Sequence, residues 1–342
     1  MKLKFGPQLP SYGRFCSTDA LTKAAQEAES LGYDAIFMQD HIERDMDYHL
    51  YHSTTGFWEE GLEVGDPQIY ETLTTSGYLA GITKNVEIGI MILLLPQRNP
   101  IVTAKQIATI DRLSKGRMLI GIGVGNVSHR RELEILGVPY LERGKIADEY
   151  IRVMKAVWTQ PLASYHGQYI SFENASIYPK PHATPHPPLI IGGAYHLQPR
   201  ILRRIAELGD GWVPIATPPQ IAEGLTKVRQ MASHLGRNVD GFRVVAYEFT
   251  SIAPTKEEAA RRYARGVGGQ RLMQERPDSA RIPIDEFRER SLVGSPDAII
   301  KRVEEYEKAG ATHIEMLFMC STLEELLEQM TLFSKEVLPS FR

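Results

Sequence analysis

Eight short runs rich in Val, Ile and Phe are separated by longer stretches of helical periodicity, and this alternation constrains the fold more than any single motif. The runs are LKFGPQL near residue 5, AIFM at 35, VEIGIMILLL at 86, RMLIGIG at 117, PLIIGG at 189, GWVPI at 211, FRVVAYEF at 242 and HIEMLF at 313. Several are apolar almost without interruption, as parallel strands buried on both faces must be; strands of a one-sided antiparallel sheet alternate instead. The connections read as helices. STDALTKAAQEAESLG offers Ser17 and Thr18 as caps, sets Leu21, Ala24, Ala25, Ala28 and Leu31 on one face, and stops at Gly32. GSPDAIIKRVEEYEKAG repeats the device, with Ser295 as N-cap, Pro296 at the first helical position and Gly310 as the stop. Eight strand-helix units in 342 residues, with no Gly/Ser linker or composition break, predict one (β/α)8 TIM-barrel domain over residues 1–342. A doubly wound sheet alternates too, and stays open on this pattern alone.

Two connections are too long for plain loops: residues 42–67, after the second strand, and 266–294, after the seventh. Segments beyond ~12–15 residues inside a compact domain are usually functional, and both fall where barrel strands end, so both are expected to be lids. TTGFW in the first, with Phe57 and Trp58, reads as a flap, or as a surface loop folded on its own aromatics.

A net charge of −3 without a Lys/Arg run argues against a nucleic-acid or membrane surface, leaving a small organic molecule as the expected partner. No leader-like segment and no apolar run near the ~20 residues of a bilayer span stands out, so a cytoplasmic protein is expected. Cys16 and Cys320 have no C-x-x-C spacing and are expected to be buried thiols. His49 with His52, and His182 with His186, lack a third ligand or an aligning helix, so no metal is expected. Gly-x-Ser-x-Gly, Walker and His-Glu-x-x-His motifs are missing, which leaves hydrolase and NTPase readings little support.

The stretch IGIGVG, Ile120–Gly125, invites a dinucleotide-binding reading. That fingerprint is Gly-x-Gly-x-x-Gly on the first strand of its unit; here Asn126 holds the third glycine position and the strand is the fourth. Glycines at a strand end also let a flat ring or another backbone approach closely, or simply tighten strand-helix packing. Gly125 and Asn126 are the better ligand candidates.

The block LLLPQRNPIVTAKQIATIDRLSKGRMLIGIGVG, Leu93 to Gly125, resembles the signature of the luciferase-like flavin and deazaflavin enzymes. GYDAIFMQDH, LEILGVPYLERGKIADEYIRVMKAVWT, PPLIIGG with RILRRIAELGDGW, and LVGSPDAIIKRVEEYEKAGATHIEML follow the family's order, so the resemblance spans nearly the whole chain. It implies a TIM barrel binding FMN or the deazaflavin coenzyme F420 at the C-terminal strand ends, usually as a dimer or higher homo-oligomer.

Asp40-His41 ends the second strand, and a His there can act as acid, base or ring contact, with Asp40 fixing its tautomer or bonding backbone. The resemblance makes His41 the catalytic candidate and places Asp40 at the cofactor. Deazaflavin-type members carry Asp-His here and luciferase-type members more often Glu-His-His, which favours F420 over FMN. The resemblance also implies a cis non-proline peptide at Met91-Ile92 forming a bulge behind the cofactor's central ring; the plain alternative is a buried strand with Met as filler. Gly192, Gly193, Ala194 and Tyr195 lie between the fifth strand and its helix, where backbone N-H groups and a helix N-terminus can hold a phosphate, as in relatives. Asn126, Val127 and Ser128 offer a second set of donors. One departure stands out: Val124 occupies the place of the catalytic Glu of the sugar-phosphate dehydrogenase subgroup, leaving the acid here unassigned.

The expected function is F420-dependent hydride transfer to or from a small organic substrate. The alternatives are an FMN-dependent monooxygenase fed by a flavin reductase and using oxygen, and a non-catalytic flavin-binding relative.

Overall fold

The computed structural model describes residues 2–13, 15–43, 68–194, 196–267 and 291–342. Its strands, in chain order, are β1 (Lys4–Pro7), β2 (Ala35–Met38), β3 (Glu87–Leu94), β4 (Met118–Gly123), β5 (Ala163–His166), β6 (Ser171–Ala175), β7 (Leu189–Ala194), β8 (Gly211–Ile215), β9 (Arg243–Ile252), β10 (Leu292–Gly294) and β11 (His313–Phe318). The helices are α1 (Thr18–Ser30), α2 (Thr72–Ile82), α3 (Pro100–Leu113), α4 (Arg130–Ile135), α5 (Arg143–Thr159), α6 (Pro199–Leu208), α7 (Pro218–His234), α8 (Lys256–Val267), α9 (Pro296–Lys308) and α10 (Leu323–Glu336).

Hydrogen bonds run round the order β1-β11-β9-β8-β7-β4-β3-β2, every pairing parallel. The ring closes between β1 and β2 through a parallel bridge from Gln8 to Phe37, with Leu9 N-H donating to the Phe37 carbonyl at 2.8 Å. The eight expected strands therefore form the expected barrel. Inside it lies a small apolar cluster that includes Phe37, Met91, Leu119, Ile190, Val213 and Val245, one side chain from each of six strands. The larger core sits between strands and helices.

Local chemistry sets the helix ends. Ser17 Oγ accepts the Ala20 amide at 3.1 Å to start α1, and Gly32 beyond its end adopts φ +81°, a left-handed conformation that glycine takes without strain. At α2 the cap is a carboxylate: Glu71 accepts from the amides of Leu73 and Thr74. Asn99 caps α3, with Pro100 in its first turn.

Two features were not legible in the sequence. An antiparallel hairpin, β5-β6, stands beside the barrel, its turn held by the Glu149 carboxylate, which accepts from the amides of Gln168, Tyr169 and Ile170 at 2.8–2.9 Å. The end of the second expected lid is strand: β10 extends the sheet by pairing with Thr250–Ile252 of β9. The expected flap with Phe57 and Trp58, His49 and His52, and residues 44–67 and 268–290 of the two expected lids lie outside the described residues. Cys16 and Cys320 are buried, and neither forms a disulfide among the described residues. No described helix is long and apolar enough to cross a membrane.

Glycines mark where backbones approach. A Cβ on Gly121 would stand 2.7 Å from the Ile90 carbonyl oxygen, and one on Gly89 2.2 Å from the Phe37 ring. Helical Gly81 in α2 has nothing within 4 Å. Gly121→Ala is expected to cost about 1–3 kcal/mol by overpacking, whereas Gly81→Ala is expected to stabilise by roughly 0.5–1 kcal/mol. Urea denaturation midpoints of the two variants, moving in opposite directions from wild type, check this.

At the opposite end of the barrel, Glu87 binds Lys4 Nζ at 2.7 Å and His313 Nε2 at 3.0 Å, with Arg243 at 3.8 Å. Burial works to raise the Glu87 pKa, but the His313 hydrogen bond and the cations outweigh it and hold the carboxyl at about 2. A carboxyl lowered in the folded state stabilises fully above its unfolded value of about 4.5 and loses that contribution as pH falls toward 2. Glu87→Gln is expected to lower stability at pH 7 by about 2–3 kcal/mol and to flatten the acid limb between pH 4.5 and 2, read by denaturation at stepped pH.

Candidate active site

The C-terminal end of β3 departs from regular pairing. The register with β4 shifts between Ile90 and Leu93, and the Met91-Ile92 peptide is cis, at the position the family resemblance implied. The shift presses Met91 and Ile92 against glycines of neighbouring strands. A Cβ on Gly121 would stand 2.7 Å from Met91 Sδ, one on Gly123 3.3 Å from Ile92 Cγ2, and one on Gly192 2.5 Å from Ile92 Cδ1. Gly121 and Gly123 of IGIGVG therefore admit the β3 bulge itself, so any ring would meet the bulge there rather than the bare glycine backbone.

Asp40, the last-but-one residue of the FMQDH run, has a fully enclosed side chain. Its carboxylate takes a bidentate pair from Arg98, both bonds 2.6 Å, and the Leu94 amide at 2.8 Å. Burial raises its pKa, with Arg98 and the Leu94 amide opposing, and the balance stays above the ordinary value. Arg98 also reaches Glu71 at 3.1 Å, so the cap of α2, the end of β2 and the turn after β3 share one cation. Of the two roles expected for Asp40, bonding backbone is the one observed, at the Leu94 amide, and through Arg98 the carboxylate joins the end of β2 to the turn after β3.

The tautomer-setting partner of His41 is Glu132, on α4. His41 Nδ1 lies 3.3 Å from Glu132 Oε2, and Glu132 Oε1 accepts the Ile42 amide at 2.5 Å. Burial raises the Glu132 pKa, but the His41 ring and the Ile42 amide more than offset it, holding the carboxyl below its usual range. Gln97 bridges the two clusters, its amide accepting from Arg98 Nη1 at 2.7 Å and donating to Glu132 Oε1 at 3.3 Å.

His129 stacks on His41, ring centroids 5.4 Å apart and 13° from parallel. Burial, followed by the charges of His41 and Arg143, pushes its pKa down to about 4, so it is neutral at pH 7. Its Nδ1 lies 2.8 Å from Asn126 Oδ1. Gly125, at φ +76°, turns the chain there, and its carbonyl accepts from Arg143 Nε at 3.1 Å. Asn126 and Val127 are exposed beside this turn, and Ser128 follows in the short 3-10 segment Val127–His129. The sequence offered one signal for Glu132 and His129, their place in HRREL just after the glycines; nothing in spacing joined them to His41.

Of the expected phosphate turn, Gly192 and Gly193 are half-buried and Ala194 is exposed at the end of β7; Tyr195 lies outside the described residues. Gly193 faces the helix layer, where a Cβ would meet Ile201 at 2.8 Å, and its carbonyl accepts from Trp212 Nε1 at 2.7 Å. The following helix, α6, opens with Gln198 at its N-cap and no side-chain capping bond. The structure thus gathers Met91, Ile92 and Gly192 on one side of the mouth and His41 with Asn126 on the adjoining rim. The backbone amide of His182 donates to Asp111 Oδ2 at 2.7 Å, and His186 Nδ1 sits 2.9 Å from the Pro187 carbonyl oxygen.

Replacing Arg98 with Met would strand an enclosed carboxylate, with an expected cost of about 3–5 kcal/mol. The double variant Asp40→Leu/Arg98→Met is expected to recover much of that loss. Thermal melts of the single and double variants measure the difference.

The sequence matches the family of luciferase-like monooxygenases over residues 5–313. An uncharacterized protein of Mycobacterium tuberculosis is 30% identical over 248 residues, covering 71% of this chain and 83% of that protein. An FMNH2-dependent dimethylsulfone monooxygenase of Pseudomonas putida is 30% identical over 194 residues, 56% of this chain and 51% of that one. An F420-dependent glucose-6-phosphate dehydrogenase of Amycolatopsis mediterranei is 26% identical over 344 residues, covering 94% of each chain. The family thus has flavin- and deazaflavin-dependent members, and the two relatives with a named activity are oxidoreductases. A match that begins in the first barrel strand and ends in the last makes this protein a member of the luciferase-like monooxygenase family.

Proposed function

We propose that the protein is a coenzyme F420-dependent oxidoreductase that passes a hydride between the deazaflavin and a small organic substrate. The observation that carries this reading is the end of β2, where Asp40 is consumed by Arg98 and a single histidine, His41, is presented at the rim against Glu132. That is the Asp-His arrangement of deazaflavin-type members, and the F420-dependent relative aligns along 94% of the chain.

The residues fit such a cofactor. The Met91–Ile92 bulge gives an apolar floor, and Gln39 Oε1, on the inward face of β2, is a buried acceptor with no partner among the described residues. Ala194, with Gly192 and Gly193, would offer backbone donors to a phosphate at the start of α6; Asn126, Val127 and Ser128 would supply a second set. A bound deazaflavin supplies a two-electron hydride carrier, and the protein supplies position and charge. His41 assists proton or charge movement at the rim. Glu132 orients its ring, and neutral His129 holds it flat without adding charge.

The Amycolatopsis relative acts on glucose 6-phosphate by name, and Val124 stands where that subgroup carries its catalytic Glu, so a different substrate is proposed here. A second reading, an FMN-dependent monooxygenase supplied by a flavin reductase, rests on the 30% identity to the dimethylsulfone monooxygenase.

Titrating the protein with F420 and with FMN, following ring fluorescence, separates the readings: F420 is expected to bind, and tight FMN binding without F420 binding would sink the proposal. His41→Ala is expected to keep cofactor affinity and lose about 100-fold or more in turnover. Glu132→Gln is expected to lose less and to shift the pH profile, because it keeps an acceptor for Ile42 and removes the charge facing His41.

A further inference from the structure

The inward-facing residues divide the barrel mouth into two unlike halves. Parallel partners share a face, and Val245 belongs to the interior cluster, so its neighbour's His313 and Glu315 on β11 point inward, as does Tyr247, the register partner of Glu315. Gly6 pairs with Glu315, and Gln8 with inward-facing Phe37. Gln39, two residues beyond Phe37, has its Nε2 3.4 Å from the Tyr247 hydroxyl across the interior. Four contiguous strands, β9, β11, β1 and β2, therefore carry Tyr247, Glu315, Gln8 and Gln39 among their inward residues, beside apolar Phe37 and Val245 and, by the same register, Phe249 and Leu317. The other four present the β3 bulge, Gly121, Gly123, Gly192 and Val213. No Lys or Arg stands among these inward positions.

The polar half is costly as it stands. Glu315 and Gln8 are each 0% exposed, and neither carboxyl oxygen of Glu315 nor either amide atom of Gln8 has a hydrogen-bond partner among the described residues. Buried polar groups are almost always paired, and an apolar side chain at either position would fold more stably. Burial, with no cation beside it, pushes the Glu315 carboxyl well above the carboxylate range and favours its protonated form, which can both donate and accept.

We propose that Glu315 and Gln8, with Gln39, form the substrate-orienting side of the site and receive an uncharged oxygen-bearing group, a carbonyl or hydroxyl, across from the Met91–Ile92 floor. The inference deepens the proposed function and rests on its placing the reaction at the barrel mouth. It names a substrate class: a phosphate or carboxylate would meet no compensating cation on this wall, while a ketone or alcohol oxygen meets a donor and acceptors already desolvated.

The test uses ligand-observed NMR and thermal shift with four probes, cyclohexanone, cyclohexanol, cyclohexanecarboxylate and glucose 6-phosphate, on wild type, Glu315→Gln, Glu315→Leu and Gln8→Leu. The uncharged probes are expected to bind wild type and the anions not. Glu315→Gln, which still donates and accepts, should stay within about threefold, while Glu315→Leu and Gln8→Leu should weaken cyclohexanone by about tenfold or more without a lower melting temperature. Equal cyclohexanone affinity in wild type and Glu315→Leu, preference for an anion, or no binding of either uncharged probe to wild type overturns the inference. Parallel F420 and FMN titrations keep the two readings apart. Failure of both cofactors with Glu315-dependent probe binding defeats only the proposed function; normal cofactor binding with Glu315-independent probe binding defeats only this inference.

Discussion

The packing of the Met91–Ile92 bulge against the backbones of Gly121, Gly123 and Gly192 is the contact from which the rest of the mouth follows. A Cβ at Gly121 or Gly192 would come within 2.7 Å of Met91 or Ile92 atoms, so the bulge depends on those two positions lacking side chains, with Gly123 in tight contact at 3.3 Å. The register shift turns the Leu94 amide toward β2, where Asp40 accepts it. Asp40 then draws in Arg98, which ties the cap of α2 to the same point. With Asp40 engaged, His41 is left to Glu132, and the rim histidine is held by a helix from the far side of the bulge.

That sequence of dependencies separates two kinds of charge. Asp40 and Arg98 form an enclosed pair whose worth lies in joining three elements, since removing one partner costs far more than the pair contributes net. Glu132, His41 and His129 form a second group closer to the rim, where one anion faces one histidine and the other histidine stays neutral. Charge is kept out of the barrel interior except at the opposite end, where Glu87 meets Lys4 and His313. Between them lies an interior that is apolar along β3, β4, β7 and β8 and that adds amide, phenol and carboxyl groups to Phe37 and Val245 on the other half, an environment in which direction rather than charge orients a ligand.

Much of this was readable residue by residue. The eight runs appear as the eight barrel strands because a strand buried on both faces has no polar position to spare, and that shows in composition. The caps at Ser17 and the stop at Gly32 were legible because capping is local chemistry. The hairpin β5-β6 was not: its residues are mostly exposed, and its turn is organised by Glu149 from another helix. The Arg98 partner of Asp40 was not legible because the two stand 58 residues apart, on either side of a lid-length segment and a helix. Glu132 was passed over for the same reason, being 91 residues from the histidine it faces.

By itself the sequence determined the number and order of the barrel strands, the ends of several helices and the family, because periodicity, capping and motif order are properties of neighbouring residues. Only the tertiary structure decided which residues share the mouth. Closing the barrel brings β2 beside β1, seats Ile92 over glycines from β4 and β7, and turns Glu315 and Gln8 inward together, and these relations depend on strand register and closure, which no local pattern records.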